Sequence, residues 1–181
     1  MKVNYNLKKY VVVALMAAIM CVLSPISIAL PISPVPISLG SFCVYLIVYI
    51  LRLDGIVSVI IYLLLGAVGV PVFTGFSGGI GKILGPTGGY MIGYIFLALI
   101  AGIFLNMSHS KKLFGILGMV LGTIVLYIFG SVWLAEVANM TFSQAMLAGV
   151  IPFIPGDIVK MIVASYLGSN IRSRLKKANI L

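Results

Sequence analysis

The chain has 181 residues, 62% of them apolar and only 8% charged, with a net charge of +9 and a mean hydropathy of +1.24. A soluble domain is usually about 45–50% apolar and about 25% charged, and three acids with twelve bases cannot cover the surface of a water-soluble globule. The composition describes an integral membrane protein, and it excludes a soluble nucleotide-binding domain and a nucleic-acid-binding patch.

Six apolar segments follow one another, at 10–30, 39–51, 56–70, 90–107, 113–134 and 156–170. The expected fold is an all-α membrane protein of six transmembrane helices, forming a single domain over residues 1–181 with ordered outer loops. The first segment follows Lys8-Lys9 and precedes Ser27-Ile28-Ala29, which also has the outline of a cleavable leader. It is read as a span, because apolar character continues past Ala29 and Pro25 interrupts the cleavage region. Ala14 and Ala18 stand four apart on it, with Ala17 between. Small residues at that spacing allow close helix approach, either within the bundle or against a partner.

Between the first two segments, Pro34 and Pro36 lie in an extended, stiff run from Pro31 to Ser38. Only Arg52, Asp54 and Gly55 punctuate the join of the second and third segments. Residues 71–89 hold seven glycines, in a loop too long for a simple turn. It is either a connector with a capped helix start at Tyr90, or backbone that approaches a ligand closely. The P-loop pattern fails there, since Phe76 and Ile83 occupy positions that need Gly and Ser/Thr. After the fifth segment, Thr141 and Gln144 form a capping-box pattern that predicts a short helix. Pro152 and Pro155 end it.

Orientation follows from the bases. With both termini on one side, Lys2, Lys8, Lys9, Arg52, Lys111, Lys112, Arg172, Arg174, Lys176 and Lys177 share that side. Lys82 falls opposite, and Lys160 lies within a span. The positive-inside rule then puts both termini in the cytoplasm, with His109 solvated in an inner loop. Cys21 and Cys43 sit inside apolar runs, so no disulfide framework, metal site or cofactor is expected. With no Ser-His-acid set and one embedded acid, neither an enzyme nor a proton relay is expected.

Asp157 and Lys160 are the strongest chemical feature. They are spaced i, i+3 and share a helix face. Arg172 lies fifteen residues on, roughly 22 Å along a helix, which sets the pair somewhat below the outer surface. Charges at that depth face a cavity or a partner. They form either an ion pair that joins helices or the polar end of a ligand pocket, where one acceptor and one donor suit a urea or amide.

The run Tyr62-Leu63-Leu64-Leu65-Gly66-Ala67-Val68-Gly69-Val70-Pro71-Val72-Phe73 is followed by Gly78-Gly79 and by Leu84-Gly85-Pro86-Thr87-Gly88-Gly89-Tyr90. Together with Pro34-Val35-Pro36-Ile37-Ser38 and Pro155-Gly156-Asp157-Ile158-Val159-Lys160, it closely resembles the BioY family, biotin-binding S components of energy-coupling factor (ECF) transporters. The resemblance spans almost the whole chain. It implies a prokaryotic plasma-membrane protein that captures biotin from outside with high affinity, working with a transmembrane coupling subunit and two cytoplasmic ATPase subunits. The alternative is a stand-alone carrier for biotin or another small amphipathic solute. By the family motif, Asp157 and Lys160 would meet the ureido group. Loops 34–38 and 73–90, including Phe73, Gly78, Gly79, Thr87, Gly88, Gly89 and Tyr90, would line and close the pocket. Thr87, Tyr90, Lys82 or the backbone at Gly88 and Gly89 would take the carboxylate, and Ala14 and Ala18 would touch the coupling subunit. The family often has Thr-Leu-Gln where this chain has Ser38-Leu39-Gly40, so a polar contact from that Gln is missing.

Overall fold

The computed structural model describes residues 5–29, 31, 33–107 and 112–181. Lys2, His109 and Lys111 lie outside the described residues, so their expected places have no structural counterpart here.

Helix α1 (Tyr5–Leu23) buries Val12, Val13, Met16, Ala17 and Met20 on one face. It stops at Leu23, short of the expected residue 30, because Pro25 supplies no N–H and disfavours helix in the residue before it. The chain then forms strand β1 (Ser27–Ile28), which pairs antiparallel with β2 (Ile37–Ser38), Ser27 opposite Ser38. The proline run is the loop of this small hairpin.

Helix α2 (Gly40–Leu51) is the axis of the molecule, with every residue buried except Phe42. Arg52 takes a φ of 58°, outside the helical region, and a 3-10 turn at Arg52–Asp54 leads into α3 (Gly55–Ala67). A side chain at Gly55 would touch Ile47, so the apolar stretch Gly40–Ala67 doubles back as a helical hairpin rather than running on as one rod. Helix α4 (Ile80–Ile83) interrupts the glycine-rich loop.

Helices α5 (Gly88–Met107) and α6 (Lys112–Val137) pack against each other along most of their length. Glycines make the contact: Gly93 meets Leu126, Gly122 meets Leu97, Gly118 meets Phe104 and Gly130 meets Tyr90. The ascending positions on one helix meet descending ones on the other, so the pair is antiparallel. Without side chains at these positions the backbones approach closely, which is how helices associate in lipid. Thr141 and Gln144 form the expected capping box (3.3 and 2.9 Å) at the start of α7 (Phe142–Gly149). A 3-10 turn at Ile151–Phe153 precedes α8 (Ile154–Lys177), which runs past the expected end at residue 170. Pro155 is tolerated there because first-turn N–H groups have no helical partner.

Among the described residues the helices of twelve or more residues are six: α1, α2, α3, α5, α6 and α8. Large apolar side chains such as Leu64, Ile128, Val132, Ile162 and Tyr166 cover the outside, as they do in a protein whose solvent is lipid. The chain is a mostly helical, multi-pass membrane protein, with one minor hairpin among the described residues. Lys8 Nζ donates to the Asn179 carbonyl (3.1 Å), Lys9 pairs with Asp54 (2.7 Å), and Arg172 donates to the Ile50 carbonyl. The start of α1, the α2–α3 turn and the end of α8 therefore share one end of the bundle. The β hairpin, α4 and α7 share the other.

Candidate functional site

The first turns of α8 carry Asp157 and Lys160. An acid in a first turn is favoured by the free N–H groups and positive end of the helix dipole, and the i, i+3 spacing brings the lysine back onto it. Asp157 is only 4% exposed. A buried ion pair is costly unless further hydrogen bonds satisfy both groups, and here they do. Asp157 Oδ1 accepts from Lys160 Nζ (3.0 Å) and from Ser41 Oγ (3.0 Å), and Oδ2 accepts from the Tyr127 hydroxyl (2.7 Å). Lys160 Nζ also donates to Ser41 Oγ (3.1 Å) and to the Ser38 carbonyl (2.8 Å). One cluster thus joins β2, α2, α6 and α8.

The cluster lies in the wall of a partly open pocket with room for about 50 Å³ of water-sized groups, or about 510 Å³ when the open solvent at its mouth is included. Val35 and Pro36 of the hairpin loop, Tyr90, Met91 and Tyr94 of α5, Leu126 of α6, and Phe153 form most of the remaining wall, with Thr74, Thr87 and Gly149. A wall of apolar and aromatic side chains with one charged cluster in it suits a small amphipathic molecule. Tyr90 fits because Gly130 makes room for its ring and Gly149 for its hydroxyl, which bonds Ser131 (3.3 Å). A side chain at Gly40 would come within 2.5 Å of the Tyr94 hydroxyl, so Tyr94 occupies the space beside α2 that a larger residue would take.

Of the expected site residues, Asp157, Lys160, Thr87 and Tyr90 come together in the cavity wall, as do Val35, Pro36 and Ser38 from the proline loop. Phe73, Gly78, Gly79, Gly88, Gly89 and Lys82 are not part of that wall. Phe73 is fully buried against Tyr62 (ring centroids 5.5 Å) in a space left by Gly66. Gly78 lies on the Val70 carbonyl, and Gly88 on the Ile83 carbonyl. Gly79, at φ 91°, donates to the Gly66 carbonyl (2.7 Å). Gly89 packs on Trp133, whose Nε1 donates to the Gly85 carbonyl (3.0 Å). Ala14 and Ala18 face outward while Ala17 is buried. Among the described residues no three His, Cys, Asp or Glu side chains gather as a metal site would require.

Ser41, Tyr94 and Tyr127 line the cavity and were not singled out from sequence. Their signal is faint but present. Ser41 and Tyr45, Tyr90 and Tyr94, and Thr123, Tyr127 and Ser131 repeat at i, i+4 within otherwise apolar spans, a spacing that puts each set on one helix face.

A multi-pass helical membrane protein with a partly open pocket that holds a buried charged pair is a membrane solute-binding protein in architecture. The chain belongs to the BioY family, whose model matches residues 1–177. It is 40% identical over 166 residues to the probable biotin transporter BioY of Pyrococcus horikoshii, covering 91% of this chain and 96% of that one. It is 38% identical to the biotin transporter BioY of Rhizobium etli, covering 87% and 89% of the two chains. Its fold matches a crystal structure described as the S-component for biotin from an ECF-type ABC transporter. The TM-score is 0.87 at 29% identity, over 96% of this chain and 95% of that one. The family is one of transporters, and this protein is not an enzyme.

Proposed function

We propose that this chain captures biotin with high affinity from the outside and serves as the substrate-binding S component of an ATP-driven ECF transporter. The observation that carries the reading is the buried Asp157–Lys160 cluster closing one end of a largely apolar cavity. Biotin has the matching chemistry: a cyclic urea at one end, an apolar thioether ring and chain, and a carboxylate at the other. The ureido group meets the Asp157–Lys160 end, the rings of Tyr90 and Tyr94 flank the body, and Thr87 and Tyr90 lie toward the carboxylate. The half-buried Gly78 and the buried Gly88 and Gly89 act as loop scaffold, with Phe73 and Gly79, rather than as ligand contacts.

Six spans cross a prokaryotic plasma membrane as one substrate-binding domain, with both termini in the cytoplasm. The bases clustered at one end of the bundle support that orientation. The outward Ala14–Ala18 face of α1 offers a close-packing surface to a transmembrane coupling subunit, and two cytoplasmic ATPase subunits supply the energy.

Calorimetric titration of the purified chain in detergent tests the reading. Tight biotin binding near one per chain is expected, with weaker binding of desthiobiotin, which lacks the thioether ring. No heat with biotin from protein shown to be folded would overturn the assignment of the ligand.

A further inference from the structure

Counting hydrogens in the polar cluster leads further than the ion pair itself. Lys160 has three N–H donors, and all three are used, on the Ser38 carbonyl, Ser41 Oγ and Asp157 Oδ1. Ser41 gives its one hydrogen to Asp157 Oδ1 (3.0 Å), and Tyr127 gives its one hydrogen to Oδ2 (2.7 Å). No hydrogen in the cluster is left to offer. Oδ1 already accepts twice, whereas Oδ2 accepts once, and a carboxylate oxygen takes about two hydrogen bonds. The remaining capacity lies on Oδ2, on the phenol oxygen of Tyr127 and on the second lone pair of Ser41 Oγ, and all three are acceptors.

In this state the polar end is a surface for a ligand that brings hydrogens. A ligand carbonyl gains a donor here only if Lys160 releases one of its three acceptors. Tyr127 is placed to set the geometry: it lines the cavity, and its bond to Oδ2 fixes the direction in which that oxygen's open lone pair points. It is also the single α6 side chain hydrogen-bonded to the cluster among the described residues.

We propose that Tyr127 is a specificity-determining residue, holding Asp157 Oδ2 so that its remaining lone pair receives an N–H of the ligand's cyclic urea. This rests on the biotin-capture reading and adds to it. Tyr127 decides that the site reads a hydrogen-bond donor, and it does so by orienting the carboxylate rather than through bulk or charge.

The test compares wild type with Tyr127→Phe, using biotin and its two ureido mono-N-methyl analogues in calorimetric or competition titrations, with thermal unfolding measured alongside. Tyr127→Phe removes a hydrogen bond to a charged group, so biotin affinity falls by about 10- to 100-fold. The analogue methylated at the nitrogen facing Asp157 loses less than about twofold from the same substitution, because the two changes delete one interaction. The other analogue behaves like biotin. An equal loss for all three ligands would mark the hydroxyl as structural and overturn the proposal, as would unchanged biotin affinity or a variant that does not fold. A folded wild-type chain that ignores biotin overturns the capture reading and this inference with it. Wild-type binding with an indifferent Tyr127→Phe overturns the inference alone.

Discussion

Two ion pairs lie at opposite ends of the bundle, and the shorter is the weaker. Lys9 and Asp54 stand 2.7 Å apart with side chains 31% and 46% exposed. Asp157 and Lys160 stand 3.0 Å apart with side chains 6% and 14% exposed. Water and salt screen the first pair, and exposed pairs of this kind contribute about 0–1 kcal/mol. The second is withdrawn from water, so its charges interact strongly but depend wholly on their neighbours. Ser41, Tyr127 and the Ser38 carbonyl supply that dependence. Solvent, more than distance, separates a pair that ties down the end of a helix from one that can recognise a molecule.

The largest effect should come from unbalancing the buried pair. Asp157→Asn leaves the Lys160 ammonium buried without its counter-charge, a loss that typically costs about 2–5 kcal/mol. Biotin affinity measured by titration should fall accordingly, and wild-type affinity in that variant would break the comparison. An intermediate effect is expected at the cavity end of the bundle, if its glycines are scaffold as proposed. A Cβ at Gly88 would run into the Ile83 carbonyl, and overpacking of this sort costs about 1–3 kcal/mol. Gly88→Ala should lower the unfolding temperature while the folded fraction keeps its biotin affinity. A change in affinity at constant stability would move Gly88 from scaffold to site. The smallest effect belongs to the exposed pair. Asp54→Asn should cost at most about 1 kcal/mol, fade with added salt and leave biotin binding untouched.

The membrane class and the order of the helices were legible because composition and base placement are properties of the whole chain and need no partner. The Asp157–Lys160 pair was legible because its two charges are three residues apart on one element. Tyr127 and Ser41 were not, since nothing local says which face of α6 or α2 meets the carboxylate of α8. The i, i+4 polar rows mark a face, but only packing assigns it a neighbour. The glycine-rich loop shows the opposite limit. Its pattern announces close backbone approach, yet Gly78 and Gly88 approach carbonyls of the protein itself, and sequence does not say what is approached. The Ala14–Ala18 spacing left inward and outward contact equally open, and packing turns both residues outward.

Helix α2 is twelve residues long, about 18 Å at 1.5 Å per residue, against a hydrocarbon core of roughly 30 Å. Its C-terminal end reaches the charged end of the bundle, so the shortfall all falls at the other, where Ser41 in its first turn lines the cavity. The cavity is in this sense a missing length of helix: the axial rod stops two or three turns early, and the taller helices around it stand as the walls of a well. How deep a guest can sink is therefore written in the residue count of one helix. A variant with one more turn at the start of α2 would be shallower before any wall residue had changed.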